Sequence, residues 1–271
     1  GIGGNAAISG QRIEHCNGRG FLQSFNDCVF AATAADEPAK GPNGLPILKV
    51  GTSGTFPPFE FVNTQTNEIT GFEMELVRAM GKHLGYDVKM LNIGFDGIIP
   101  AILAGTADVG ASGFSVTEER KKRVLFTAPF YESGLTILVK KADADKIKSF
   151  KDLEGRKVGV QIGTTAATMA KTIKDAKVST FNNAGEAILD LQVGGTDAVI
   201  NDRPVTAYIL TQQPKIAEAT VHLPEMLSAD QFAMVVAKDN VKLAKELDDA
   251  LAALKASGEY QAIYKKWFGD N

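Results

Sequence analysis

Ser112-Gly113-Phe114-Ser115-Val116-Thr117-Glu118-Glu119-Arg120 is the stretch on which the reading of this chain turns. An apolar run ending in Asp108-Val109-Gly110-Ala111 leads into it, and Glu118-Glu119-Arg120-Lys121-Lys122 leads out as a charged helix start. A strand that ends in small and hydroxyl residues and opens onto a helix leaves backbone N–H groups without partners. The positive end of the helix dipole then favours an anion. Arg120 adds a planar fork shaped for a carboxylate. Taken alone, the stretch also suits an ordinary strand–turn–helix with a surface arginine, so the flanking sequence has to decide.

On both sides strands and helices alternate. Residues 47–51 read as a buried strand and 59–62 as a second. Residues 71–80 read as a helix with Phe72, Leu76, Val77 and Met80 on one face, stopped by Gly85. Residues 88–93 are a strand, Asp96 opens a helix over 97–104 closed by Gly105, and 107–111 form the next strand. The pattern restarts after a strand at 135–139. A short helix or turn at 150–155 and strands at 157–161, 178–181 and 198–200 alternate with helices opening at Gly163-Thr164-Thr165 and running to about 174, at 184–193, and at Asp202-Arg203-Pro204. A strand at 232–237 and helices at 241–257 and 259–267 end the chain. The alternation predicts an α/β fold with mainly parallel strands. Each unit holds a strand that ends in Gly and hydroxyl residues at a helix start. In open α/β sheets ligands sit at the carboxyl ends of strands, so two such ends facing across a cleft make a clamp.

Composition narrows the function. The chain has 271 residues, enough for one large domain or two ordinary ones, and its 44% hydrophobic content supports a real core. No run of about 18 apolar residues occurs, so no spanning helix is expected. A net charge of −3 with scattered Lys and Arg argues against nucleic acid as a partner. Residues 1–45 differ from the rest. They are rich in Gly, Ala and Asn, and 36–46 reads as a Pro- and Gly-rich linker. The two cysteines, Cys16 and Cys28, read either as a disulfide, which would indicate an oxidising compartment, or as two free thiols. With His15 they fall short of a metal site. The stretch before Ala31-Ala32-Thr33-Ala34-Ala35 is too polar for an export signal, and since the chain opens on Gly1 a signal is expected to have been removed already.

Six motifs from residue 47 onward closely resemble the polar amino-acid solute-binding proteins of ABC importers. They are Gly51-Thr52-Ser53-Gly54-Thr55-Phe56-Pro57-Pro58-Phe59-Glu60-Phe61, Gly71-Phe72-Glu73-Met74-Glu75-Leu76, Phe95-Asp96-Gly97-Ile98-Ile99-Pro100-Ala101-Ile102, Thr117-Glu118-Glu119-Arg120-Lys121-Lys122, Phe126-Thr127-Ala128-Pro129-Phe130-Tyr131, and Gly258-Glu259-Tyr260 with Ile263-Tyr264-Lys265-Lys266-Trp267-Phe268. The resemblance leaves out residues 1–45. It implies a two-lobed type II periplasmic binding fold with two crossover strands at the hinge, lobe 1 being 47–134 plus 233–271 and lobe 2 being 138–229. A free L-amino acid would be engulfed as the lobes close. It also implies an ABC membrane permease as partner, an exported periplasmic or extracellular location, and no cofactor. A monomer is expected, with the N-terminal arm available for swapping between protomers.

Residue by residue, the resemblance implies that Arg120 takes the ligand carboxylate, with backbone N–H groups near Ser115 and Thr165. Asp202, the Gly113 carbonyl and the Ser115 hydroxyl take the ammonium, and Ser112 belongs to the same turn. A helix N-cap is the other reading of Asp202. Phe56 and Phe95 match the aromatics that sandwich the ligand side chain. Ser53, Glu60 and Gln161 fall at the specificity end. Ser53 stands where several relatives carry Asp, and Gln161 where some glutamine binders carry Lys. The set formed by Ser53, Phe56, Phe95, Gln161 and Thr165 looks most like arginine binders, so arginine is the expected ligand and glutamine the alternative. Two other classes remain. A ligand-sensing receptor domain would carry the same clamp. An enzyme would need a nucleophile–base pair, and His15, His83 and His222 all lie outside the site motifs, so no catalysis is expected.

Overall fold

The structure, a computed structural model, describes residues 39–269. The Cys16–Cys28 pairing and the reading of residues 1–38 lie outside the described residues. The described chain starts in what reads as a linker, yet residues 39–46 are held. Lys40 bridges Pro46, and the Asp87 carboxylate accepts the Asn43 amide (3.0 Å), the Asn43 side chain (2.9 Å) and the Leu45 amide.

β1 (Ile47–Thr52) leads into three short strands, β2 (Thr55–Phe56), β3 (Glu60–Val62) and β4 (Ile69–Thr70), which pair as an antiparallel ribbon. Then come α1 (Phe72–Leu84), β5 (Asp87–Asn92), α2 (Phe95–Ala104), β6 (Val109–Ser115), the single turn α3 (Glu118–Lys121), β7 (Val124–Phe126) and β8 (Tyr131–Ser133). α1 buries Phe72, Leu76, Val77 and Met80 on one face. Gly85 and Gly105 close α1 and α2 at φ 80 and 77, a left-handed conformation that costs glycine little.

After Gly134 the chain enters a second sheet. β9 (Leu135–Lys140) is followed by a 3₁₀ turn at Phe150–Leu153, then β10 (Lys157–Gln161), α4 (Thr165–Ala170), β11 (Lys177–Phe181), α5 (Ala184–Gln192), β12 (Ala198–Asp202), α6 (Arg203–Gln212), α7 (Pro214–Ala219) and β13 (Thr220–His222). The chain then returns to the first sheet as β14 (Asp230–Ala237), and α8 (Val241–Ser257) and α9 (Glu259–Phe268) complete it.

The first sheet runs β5-β1-β6-β14-β7, with β8 also on β14, and the second runs β11-β10-β12-β9-β13. Three strands in each are parallel, as the alternation predicts. β14 lies antiparallel to β6, β7 and β8, and β9 antiparallel to β12 and β13. β9 and β14 arrive from the opposite sheet rather than through a helical crossover, and that is why they enter in the other sense. The two crossings sit side by side: Ser133 pairs with Asp230.

One helix is shorter than expected and another is a single turn. α4 stops at Ala170 rather than near 174, because the Thr172 hydroxyl takes the Met169 carbonyl (2.7 Å). α3 has four residues, so the N-terminal dipole expected there is that of one turn only. The largest apolar cluster lies under α1, α8 and the first sheet. α9 closes it with Tyr260, Tyr264 and Phe268 against Phe72, itself fully buried. A separate cluster fills the second lobe around Val158, Val160 and Ile200.

Candidate ligand-binding cleft

The strand ends of the two sheets face one pocket. From the first lobe come Ser53, Phe56, Phe95, Ser112, Gly113, Ser115 and Arg120, and from the second Gln161, Thr164, Thr165 and Asp202. Ten of the eleven residues expected at the site therefore meet there. Glu60 does not line the pocket. It lies fully buried behind Gly113, with one carboxyl oxygen 3.6 Å from where a Gly113 Cβ would stand, and it faces Glu73 rather than the free space. The β3 register turns it inward, because Phe56 pairs with Glu60 and covers it.

Arg120 is held from three sides. Its backbone N–H donates to the Thr117 hydroxyl, which caps α3 (3.1 Å). Its Nη1 donates to the Ser115 carbonyl (2.8 Å) and its Nη2 to the Gly163 carbonyl of the opposite lobe (3.2 Å). Its guanidinium carbon lies 5.7 Å from the Phe95 ring centre and 5.4 Å from that of Phe114, and those two rings stack at 4.8 Å. Burial pulls its pKa down, and Asp202, Glu119 and Asp230 pull it back up. A guanidinium carries five donors, so capacity remains for an anion.

Asp202 ends β12 at the cap position of α6, but its side chain makes no capping bond; the N-cap reading is set aside. It accepts instead from the Ser133 hydroxyl on the first crossing (3.3 Å). Desolvation, then the Asp230 charge on the second crossing, push its pKa up to about 7, against the hydrogen bond from Ser133 and the charge of Arg120. A buried carboxyl so poorly compensated favours a cation arriving beside it.

The remaining polar groups are pre-positioned. The Ser112 hydroxyl accepts the Ser53 amide (2.9 Å), and the Ser53 hydroxyl meets that of Thr55. Gln161 donates to the Asn182 carbonyl (3.3 Å). Thr164 caps α4 through the Ala167 amide and donates to the Gln161 carbonyl (2.7 Å). Thr164 was not anticipated as a lining residue, although its place before Thr165 at a helix start was the available signal. Asp230 and Ser133 were missed too, because nothing local in the sequence brings two hinge strands onto Asp202. His83 and His222 do not line the pocket, and His222 is paired with the Thr136 hydroxyl (2.7 Å).

Two α/β lobes joined by adjacent crossings, with a pocket between their strand ends, define a binding protein of the type II periplasmic fold. The chain belongs to the bacterial extracellular solute-binding proteins, family 3, whose sequence pattern matches residues 48–270, and within it to the polar amino-acid substrate-binding proteins of ABC transporters. It is 34% identical over 252 residues to ABC transporter arginine-binding protein 1 of Escherichia coli K12, covering 91% of this chain and 96% of that one. It is 32% identical to the L-cystine-binding protein TcyJ of the same organism, over 82% of each. Among solved structures it is similar to an ancestral arginine-binding protein bound to arginine, with a TM-score of 0.79 and 40% identity over 82% of this chain and 98% of that one. An ancestral arginine-binding protein bound to glutamine matches with a TM-score of 0.76 and 40% identity over 83% and 98%. These relatives are named as binding proteins.

Proposed function

We propose that this chain captures free L-arginine from the periplasm or extracellular space by closing its two lobes, and delivers it to an ABC permease. The observation that carries the reading is the pairing of one half-buried cation and one buried anion, Arg120 and Asp202, on opposite lobes of a single pocket. An amino-acid zwitterion complements that arrangement: its carboxylate on Arg120, its ammonium on Asp202 with the Gly113 carbonyl and Ser115 hydroxyl. Each buried charge then gains the partner that offsets its desolvation. Phe56 and Phe95 flank the side chain, and Ser53 and Gln161 meet its end.

Arginine is favoured by the relatives and by the lining itself. Among the described residues no cationic side chain other than Arg120 lines the pocket to repel a guanidinium. Among them no second acid lines it either, so the same polar walls suit a neutral amide; glutamine, present in one of the similar structures, is the alternative. The deciding experiment is a thermal-shift panel of the twenty amino acids with ornithine and citrulline on refolded, ligand-stripped protein. At thousandfold excess over its Kd a ligand stabilises by about 4 kcal/mol, a shift of several degrees. A shift with arginine alone supports the assignment, one with glutamine alone transfers it, and none with either overturns it.

A further inference from the structure

Behind the pocket floor lie two carboxyl groups that the binding scheme leaves unused. Glu60 on β3 and Glu73 in the first turn of α1 are both fully buried. Neither oxygen of Glu60, nor Oε1 of Glu73, has a partner at hydrogen-bonding geometry. Among the described residues the pair's one such bond runs from the Gly113 amide to Glu73 Oε2, at 2.9 Å.

The backbone explains why that amide needs an acceptor. In the β6–β14 ladder Phe114 pairs with Ala233 and Gly110 with Val235, so Ala111, Ser112 and Gly113 stand opposite Met234 alone. This is a bulge, and a bulge frees backbone groups from the ladder. The β1 ladder gives no help, since its pairing to β6 ends at Gly110. Gly113 sits at φ 63, and a Cβ there would come within 2.7 Å of the Phe56 ring. Its amide is therefore aimed into the lobe, where a buried N–H left unpaired is costly.

Glu73 is delivered to that point by a backbone splice. The Phe72 and Glu73 amides donate to the Pro58 and Phe59 carbonyls (2.8 and 3.1 Å). Gly71, at φ 130, lets the Phe59 carbonyl approach where a Cβ would lie 2.3 Å away. The helix start and the strand carrying Glu60 are thus locked together beneath the bulge.

We propose that Glu73 is a positioning residue of the binding site: by accepting the Gly113 amide it holds the β6 bulge in the peptide orientation that offers the bulge's carbonyls to a bound ammonium, with Glu60 as its buried partner. The proposal rests on the amino-acid-binding reading above. Because a peptide is planar and trans, fixing the Gly113 N–H fixes the Ser112 carbonyl at the opposite end of the same plane, and with it the start of the next peptide, whose Gly113 carbonyl is the one assigned to the ammonium. A neutral pair of apolar side chains would fill the same space at less electrostatic cost, so the acids are retained for the bond they make.

The charged groups bearing on Glu60 are Glu73 from α1 and Asp202 from β12, with the Ser112 hydroxyl opposing them; Glu60 and the Gly113 amide bear on Glu73. Desolvation raises both carboxyls, Glu73 to about 7. Two buried carboxyls so placed resist carrying two charges at once, so the pair takes up a proton as pH falls toward neutrality.

The test uses the full chain, ¹⁵N-labelled, with L-arginine and L-glutamine as probes. The Gly113 amide resonance of the native protein should move as pH rises through about 7, and Glu73→Gln, whose amide oxygen still accepts the N–H, should abolish that movement while binding within a few-fold of native. Glu73→Leu should weaken binding about tenfold or more. The double variant Glu60→Met/Glu73→Met should melt no lower than native at pH 8 and still bind about tenfold or more weakly, which a purely structural role does not predict. Native affinity in Glu73→Leu or in the double variant, or a Gly113 amide indifferent to pH, overturns the proposal. If the native chain binds neither probe, the functional reading falls, while the Gly113 titration still decides the Glu73 bond by itself.

Discussion

Arg120 and Asp202 make opposite demands on pH and on mutation. Arg120→Ala should abolish amino-acid binding in a calorimetric titration and leave the circular dichroism spectrum unchanged, because the side chain is half-buried and its loss removes no core packing. Asp202 is buried, and its pKa is raised to about 7. An acid whose folded pKa is raised contributes stability that is complete below its unfolded pKa of about 4 and is lost as pH climbs to about 7. A ligand ammonium reverses that loss. The affinity for arginine should therefore rise with pH, by up to about tenfold per unit below 7, and level off above it. Titrations at pH 5.5, 6.5 and 8 measure this, and Asp202→Asn should flatten the profile and bind weakly throughout. At this scale the sequence was highly legible, since the motifs named ten residues that the fold gathers into one pocket. Glu60 was misplaced for a physical reason: a residue inside Pro-Phe-Glu-Phe faces in or out according to strand register, and register is a tertiary property. Asp230 was invisible, because its effect on Asp202 depends on the two crossings lying side by side.

Among the elements, the β6 bulge and α9 carry the sharpest consequences. Gly113→Ala has to force a side chain into a positive φ and into the Phe56 ring, so it should cost about 1–3 kcal/mol of stability and most of the affinity. Chemical denaturation and titration of that one variant check both. Phe72 is fully buried and touches Phe130, Tyr260, Tyr264 and Phe268, which tie α1 to α9. Phe72→Ala should cost about 3–5 kcal/mol and lower the melting temperature by roughly 6 °C or more, with arginine still shifting the residual transition. Long periodic elements such as α1, α8 and α9 were readable from apolar spacing. The short β2, β4, β7, β8 and β13 were not, having two or three residues each and existing only through the partners they meet. The charged helix start at Glu118 is there as read, and one turn is enough to place Arg120 beside Phe95 and Phe114.

For the molecule as a whole, the α/β class followed from strand–helix alternation, while the sense of β9 and β14 did not, since alternation says nothing about a chain that leaves one sheet and comes back. All the described pocket residues fall between Ser53 and Asp202, and the family match starts at residue 48. A chain beginning at Pro38 should therefore keep the arginine affinity of the full sequence, measured side by side by calorimetry; a marked loss would assign the first 37 residues a part in binding. The position of β14 has a further consequence, for the order in which the protein is made. β14 lies between β6 and β7, strands more than a hundred residues earlier in the chain. A ribosome delivers the whole second sheet by His222, yet the first sheet lacks an inner strand until Ala237 has emerged. The earlier strands of the first sheet therefore wait with an open apolar seam between β6 and β7, and become a finished lobe only after the second sheet is complete. The first lobe, though begun first, is therefore the later of the two to finish.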